Sequence, residues 1–234
     1  MPDNMFENYA SLINENGSVS NPKYDERYFK TFYLNKLPKD KNIKILDIGC
    51  GSGKYLKILK KQGYTNLFGL DISEEQIKMA KQTNLNVQCS DALEFLKNNT
   101  EKYDVIFLID VLEHIDLQKT FELIDLIYKS LENEGSFFIQ VPNAIAPLSP
   151  LRYADITHKR AYTTYSLRQT LKFSGFKDLK FYELAPFVHG TKSFVRKALW
   201  HLMIKPIIKS FMLTSYGTNF EKIYTANFLC ILKK

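Results

Sequence analysis

The stretch Ile45-Leu46-Asp47-Ile48-Gly49-Cys50-Gly51-Ser52-Gly53 is an apolar strand that ends in alternating glycines and opens a helix near Lys54. Glycine permits backbone φ > 0 and lets a ligand lie directly against the main chain. Two nucleotide-binding patterns can be tested by spacing. A phosphate-binding P-loop needs a glycine five residues before its Gly-Lys pair, where Ile48 stands, and a Ser or Thr where Tyr55 stands. The dinucleotide pattern G-x-G-x-x-G, counted from Gly49, finds its third glycine one place early, at Gly53.

Outward from this turn, strand-like runs alternate with helix-period segments, the pattern of a mostly parallel sheet covered on both faces. Residues 44–48 form strand one, and the helix after it stops at Gly63. Residues 66–70 form strand two, after which Ser73 and Gln76 predict an S-x-x-Q capping box. Residues 86–89 are a short third strand, followed by a helix carrying Leu93, Phe95 and Leu96. Residues 103–109 are almost continuously apolar, as a strand buried on both faces should be. A helix over 117–131 is stopped by Asn133-Glu134-Gly135, and strand five, 136–141, by Pro142. A loop of about twenty residues follows, long enough to suggest a functional role. A helix over 166–173 and strands over 177–184 and 224–232 complete the count. An aromatic-rich helix is predicted over 24–37, while 1–23 read as mobile or ordered only by substrate. The organisation expected is one doubly wound α/β domain, 43–234, with residues 1–42 as a helical segment covering the site.

Bulk properties bound the function. At 234 residues, 45% hydrophobic and 24% charged, the chain suits one well-buried soluble domain. No apolar run approaches the ~18 residues of a membrane span. Met1 to Ala10 lacks the basic start and apolar run of a signal peptide. Cys50, Cys89 and Cys230 are far apart and without metal-site spacing, so no disulfide framework or zinc site is expected and a reducing cytoplasm fits. The net charge of +7 lies in the tail: residues 192–234 carry eight bases and one acid, and residues 1–191 balance at 24 of each. A basic tail on a neutral body argues against a nucleic-acid-coating surface.

Acids recur at the carboxyl ends of successive predicted strands: Asp47 beside the glycines, Asp71 after strand two, Asp91 after strand three, and Asp110-Val111-Leu112-Glu113-His114 after strand four. Independent surface acids would not fall into that arrangement. A doubly wound sheet binds its ligand at those strand ends. Asp71, about twenty residues past the glycines, suits two ribose hydroxyls or a simple helix entry; Asp91 suits an adenine amino group or a helix N-cap.

The run 42–143 resembles the class I methyltransferases, which bind S-adenosylmethionine at a D-x-G-x-G-x-G loop. The likeness is to a small bacterial subgroup with D-x-L-E-H after strand four, whose relatives methylate sugars and cell-surface glycans or quinones. The resemblance implies a seven-stranded sheet ordered 3-2-1-4-5-7-6 with an antiparallel last strand. It implies that Gly49, Gly51 and Gly53 cradle the methionine portion with Asp47 supporting the loop, and that Asp71 holds the ribose. Asp91 with Ala92 would hold the adenine, and Asp110 would lie near the sulfonium. Cys50, Ile72 and Val111 join the cofactor set from the same motifs. The segment 155–176 extends the resemblance and borders the acceptor pocket in similar proteins.

The acceptor is read by elimination. An Asp-Pro-Pro-Tyr segment for amine methylation is absent at 110–113, no cysteine stands ready for pyrimidine C5 chemistry, and no carboxylate set for a catalytic magnesium is evident, so no metal is expected. A hydroxyl or phosphate-type oxygen remains. His158 is the first candidate for the proton acceptor, His114 the second, and Asp155 would orient His158 or act itself. Arg152 and Lys159 would meet a phosphate or acidic sugar. The leading expectation is a sugar, sugar-nucleotide or polysaccharide-precursor methyltransferase. The alternatives are a quinone or phenolic-lipid methyltransferase and a non-catalytic binding protein.

A basic helical insertion is expected at 187–222. Phe194, Val195, Ala198, Leu199, Leu202 and Met203 share one helical face, and Pro206 should break the helix. Packing of that face on its own domain or on a twin subunit is the usual outcome. Peripheral contact of 194–212 with an anionic membrane is the alternative.

Overall fold

The computed structural model describes Ser11, residues 21–218 and residues 221–234. Most of the segment expected to be mobile therefore lies outside the described residues. Helix α1 (Pro22–Phe32) starts from Asn21, whose side chain accepts the Lys23 and Tyr24 N–H groups, with Pro22 in the first turn. It is shorter than the 24–37 expected, because the chain tightens into a 3₁₀ turn over Leu34–Lys36. Phe29 and Tyr33 are wholly buried, stacked on each other, with Tyr55 tilted against Phe29 and Phe107 edge-on to Tyr33.

The chain then runs β1 (Lys44–Ile48), α2 (Lys54–Lys61), β2 (Asn66–Asp71), α3 (Glu74–Lys81), β3 (Val87–Cys89), α4 (Ala92–Asn98), β4 (Tyr103–Ile109), α5 (Leu117–Ser130) and β5 (Leu131–Pro142). There follow α6 (Pro150–Ala154), α7 (Thr164–Phe173), β6 (Lys177–Glu183), α8 (Thr191–Leu199), α9 (Lys205–Tyr216) and β7 (Asn227–Lys233). One sheet ordered β3-β2-β1-β4-β5-β7-β6 results, with β7 antiparallel to both neighbours, as the resemblance implied. β4 is central and buried at five consecutive positions, Val105 to Ile109. Helices cover both faces over two large apolar clusters, one centred on Ile106, Leu108, Ile124 and Phe137, the other on Phe29, Ile45, Phe107 and Phe138. The sheet therefore turns its carboxyl edge, with β1 and β4 side by side, into the open cleft discussed below.

Two local expectations are corrected. The residues 133–135 lie inside β5, where Glu134 takes φ 63° and the register to β4 shifts between Tyr103 and Val105. Pro206 does not break the helix but sits in the first turn of α9. A π-helical turn, Trp200–Ile204, joins α8 to α9. Wider winding is one way for a helix to accommodate a proline that lacks an N–H and crowds the preceding turn.

The insertion's apolar face is not buried on the domain. Phe194, Leu202 and Phe211 are 62%, 77% and 64% exposed. Ala198, Trp200, Ile208 and Met212 are half-buried, and the Lys205–Glu183 ion pair at 2.6 Å fastens the insertion to β6. No helix among the described residues is long and apolar enough to cross a membrane.

Candidate active site

The glycines after β1 have different reasons to be glycine. All three take positive φ, from 54° to 78°. A Cβ on Gly49 would lie 2.2 Å from Val111 Cγ2, and one on Gly53 would lie 2.2 Å from Leu85 Cδ1, so close packing also demands them. At Gly51 a Cβ would meet only the Gln76 side chain, at 3.7 Å. Gly51 is thus the one that turns bare backbone towards the cleft.

That cleft, of about 350 Å³, lies across the carboxyl ends of β1, β2, β3 and β4 and is lined by Gly49, Gly51, Asp71, Ile72, Asp91, Ala92, Asp110, Val111 and His114. The size is within the range of small-molecule sites. Cys50 sits behind the loop, buried against Gly69. Asp71 accepts the Gly51 N–H and the Ser73 N–H, each at 2.8 Å, and so ties the glycine loop to the entry of α3. This explains why the predicted capping box is only half formed. Ser73 Oγ accepts the Gln76 N–H, but the Ser73 N–H belongs to Asp71, and Gln76 faces Gly51 across the cleft. Asp91 caps α4 through Oδ1, which accepts from Leu93 and Glu94.

Asp47 is 2% exposed and its Oδ2 has no hydrogen-bond partner among the described residues. Burial, with the negative charge of Asp71, pushes its pKa up to about 8. A lone buried carboxyl beside a bare glycine loop is suited to a ligand with a cationic end, and the ribose-spaced acid and apolar Ile72 and Ala92 continue the cleft towards β3. The residues present therefore fit S-adenosylmethionine, which carries an ammonium, a sulfonium, a ribose and an adenine.

Asp110 stands at the end of β4 with φ 55°. Gln140 Nε2 donates to its Oδ2 at 2.7 Å, and Asn227 Nδ2 donates to Oδ1 at 3.4 Å. The Gln140 carbonyl oxygen in turn accepts from the hydroxyls of Tyr28 and Tyr33. The N-terminal helix is thereby linked through Gln140 to the floor of the cleft.

The residues proposed for catalysis do gather, but in a different order. His114 lines the cleft, and His158, half-buried, stands behind it with ring centroids 4.7 Å apart. His158 Nδ1 is 2.7 Å from the Leu151 carbonyl, which can only accept, so Nδ1 carries a proton and, in the neutral ring, Nε2 carries the lone pair. The Asp155 carbonyl accepts the His158 N–H at 3.2 Å. Thr157, two residues on, captures Asp155 Oδ1 with its N–H at 2.8 Å and its hydroxyl at 2.6 Å. Thr157 Oγ1, its proton spent on Asp155, accepts from His114 Nδ1 at 2.7 Å. Asp155 thus orients His114, whose lone pair is also on Nε2. Burial, assisted by repulsion from His158, lowers the His114 pKa to about 4, so the ring is neutral at neutral pH.

Arg152 is spent on the protein, while Lys159 lines the cleft with its ammonium already paired. Arg152 donates to the carbonyls of His158 and Lys159, and Lys159 Nζ pairs with Asp116 at 2.7 Å. Glu113 had no role assigned to it from sequence. It is fully buried, neither carboxyl oxygen has a hydrogen-bond partner among the described residues, and Oε1 is 3.9 Å from His158 Nε2. Burial and the charge of Asp110 hold its pKa well above the carboxylate range.

Comparison with known proteins agrees with this geometry. Residues 23–180 match the family model described as a methyltransferase domain. An S-adenosylmethionine-dependent methyltransferase from Archaeoglobus fulgidus superimposes with a TM-score of 0.71 at 25% identity, over 97% of this chain and 100% of that one. A ubiquinone biosynthesis O-methyltransferase from Bartonella tribocorum is 35% identical over 115 residues, 47% of this chain and 45% of its own length. One of the same name from Coxiella burnetii is 38% identical over 77 residues, 30% of this chain and 32% of its own. The chain thus spans less than half the length of these curated relatives. With a matching family model over most of its length and a cleft shaped for the cofactor, the chain belongs to the S-adenosylmethionine-dependent methyltransferases of class I.

Proposed function

We propose that the chain transfers a methyl group from S-adenosylmethionine to a hydroxyl oxygen on an apolar ring acceptor of the phenol or quinol class. The observation that carries this is His114: it lines the cofactor cleft, is neutral, and is held by Thr157 so that Nε2 has the lone pair. When bound, S-adenosylmethionine supplies a methyl on cationic sulfur, which passes to the acceptor oxygen as the sulfur–carbon bond breaks and S-adenosylhomocysteine leaves. Asp47 and the bare Gly51 backbone would hold the methionine end, Asp71 the ribose, Asp91 and Ala92 the adenine, with Gly49, Ile72 and Val111 forming walls and Cys50 and Gly53 supporting the loop from behind. Asp110, fixed by Gln140, would face the sulfonium. The acceptor's proton leaves to the His114–His158 cluster, with Asp155 acting as a positioning residue through Thr157. Alignment of the reacting atoms supplies much of the acceleration, and proton removal about 10²-fold more.

An apolar acceptor is supported by three things. Arg152 and Lys159, beside the histidines, are already engaged. Leu148, Tyr153 and Ile156 on the same loop are 95%, 79% and 83% exposed. The Bartonella and Coxiella relatives are named for ubiquinone biosynthesis. A sugar or polysaccharide-precursor acceptor draws no support from these contacts. The exposed apolar and basic insertion would let the chain collect such an acceptor at an anionic membrane surface. The test is methyl transfer from labelled cofactor to a panel of catechols, apolar phenols and sugar nucleotides. Label on a phenolic oxygen supports the reading; label on sugars alone overturns the acceptor class. Cofactor binding with no transfer to any member would favour a binding protein.

A further inference from the structure

The first turn of α3 carries an amide that the fold does not use. Ser73-x-x-Gln76 is the sequence of a reciprocal capping box, in which the glutamine side chain reaches back to the Ser73 N–H. That N–H is taken instead by Asp71, at 2.8 Å. The Gln76 backbone N–H donates to Ser73 Oγ, but its side chain makes no hydrogen bond among the described residues. Helix α3 is therefore capped without it. The amide turns towards the glycine loop: a Cβ on Gly51 would stand 3.7 Å from Gln76 Oε1, and both residues line the cleft with Asp71.

This corner of the cleft is short of donors. An ionised Asp71 can only accept, and a ribose hydroxyl that donates to it still has its own oxygen lone pairs to satisfy. The backbone N–H groups nearby are engaged within the chain. Those of Gly51 and Ser73 go to Asp71, and those of Gly49 and Cys50 go to the Leu70 carbonyl. Gln76 Nε2 brings two N–H groups to the same corner, and no bond within the protein has to break for it to turn them to a ligand. A hydroxyl placed between the two side chains donates to Asp71 and accepts from Gln76. A carboxylate is the cofactor's other group that needs donors, and the negative charge of Asp71 disfavours it here.

We propose that Gln76 donates to a hydroxyl of the cofactor's ribose, which in turn donates to Asp71, so that the end of β2 and the first turn of α3 recognise the sugar together. The inference rests on the placing of the ribose at Asp71 and needs nothing from the acceptor reading.

The experiment uses the full-length protein without any acceptor. It is titrated calorimetrically with S-adenosylhomocysteine, with the 2′-deoxy and 3′-deoxy analogues, and with methylthioadenosine, which keeps the nucleoside and lacks the amino-acid end. Gln76→Met keeps length and helix propensity and removes the hydrogen bond. Gln76→Glu keeps an acceptor and removes the donor. Both variants should bind S-adenosylhomocysteine and methylthioadenosine about 3- to 10-fold more weakly than the parent, the worth of one neutral hydrogen bond. With one of the two deoxy analogues, parent and variants should bind alike. Unliganded variants should melt within about 2 °C of the parent, because the side chain bonds to nothing in the fold. Parent-like affinity of either folded variant for S-adenosylhomocysteine overturns the proposal, and so does a loss that persists with both deoxy analogues. A loss confined to S-adenosylhomocysteine and absent with methylthioadenosine also overturns it, by moving Gln76 to the methionine end. Asp71→Ala, titrated alongside, separates the two assignments. Should its loss vanish with a deoxy analogue while the Gln76 loss does not, the ribose stays at Asp71 and Gln76 is removed. Should neither vanish, both assignments fall.

Discussion

Asp71 is where the proposed ribose contact and the loop geometry meet, so Asp71→Ala separates them. The carboxylate accepts the Gly51 and Ser73 N–H groups at 2.8 Å each. Burial raises its pKa, while those same two N–H groups pull it down. Removing the side chain leaves two donors for water to satisfy, and each unmet donor costs about 1–3 kcal/mol. Asp71 is only half-buried, and the carboxylate's own desolvation is relieved, so a net loss of about 1–2 kcal/mol of stability is expected. For a chain of this size that corresponds to a melting point lower by about 2–8 °C. Loss of the ribose hydrogen bonds adds about 1–3 kcal/mol to binding, or roughly 5- to 150-fold in Kd for S-adenosylhomocysteine. Asp71→Asn keeps one acceptor oxygen and should fall between parent and Ala in both measurements. Calorimetric titration of S-adenosylhomocysteine, with melting curves on the same samples, is the assay. A lowered melting point with an unchanged Kd would make Asp71 a helix-entry residue alone and refute its cofactor role.

Three further outcomes follow from the site. Asp47 has a folded pKa of about 8 against an ordinary value of 3.8, so the folded state holds its proton more tightly. The stability this brings is complete below the unfolded pKa and is lost as pH rises through 8. Unliganded Asp47→Asn should therefore melt above the parent at pH 9, by a margin that shrinks towards pH 5, and should bind S-adenosylhomocysteine at least tenfold more weakly; a margin independent of pH counts against this. His114→Ala and His158→Ala should each lower turnover by about 10²-fold with cofactor affinity within twofold. With a pKa of about 4 for His114, parent turnover should hold down to about pH 5, and a fall already at pH 7 contradicts the assignment. The parent should co-sediment with anionic vesicles and release as salt rises, whereas the double variant Phe194→Asp, Leu202→Asp should stay in the supernatant; no binding by the parent at low salt removes the membrane reading.

What could be read from sequence was what local pattern encodes. Lys44–Ile48 and Tyr103–Ile109 have the bounds their apolar runs predict, since strands buried on both faces leave no ambiguity of period. Asp71, Asp91 and Asp110 line one cleft because a parallel sheet brings those strand ends together, while Asp47 is buried behind it. The loop between β5 and α7 was legible only as long. Its fold-back depends on contacts distant in sequence, such as the Lys159 and Arg160 N–H groups on the Glu113 carbonyl. The fold-back sets Thr157 on Asp155 Oδ1 and places His114 in the cleft. Gln140 was hidden as a polar residue inside an apolar strand, which is itself a usable signal. Glu113 and His114 side by side after a central strand, with a loop histidine to follow, were the legible trace of the buried cluster.

The central claim is that the cleft over Gly51, Asp71 and Asp110 is an S-adenosylmethionine site. Calorimetry of the purified chain against S-adenosylmethionine, S-adenosylhomocysteine and NAD measures this directly. The account predicts one-to-one binding of both sulfur compounds at micromolar strength or better and no measurable heat with NAD. Micromolar binding of NAD with no response to either sulfur compound would contradict it.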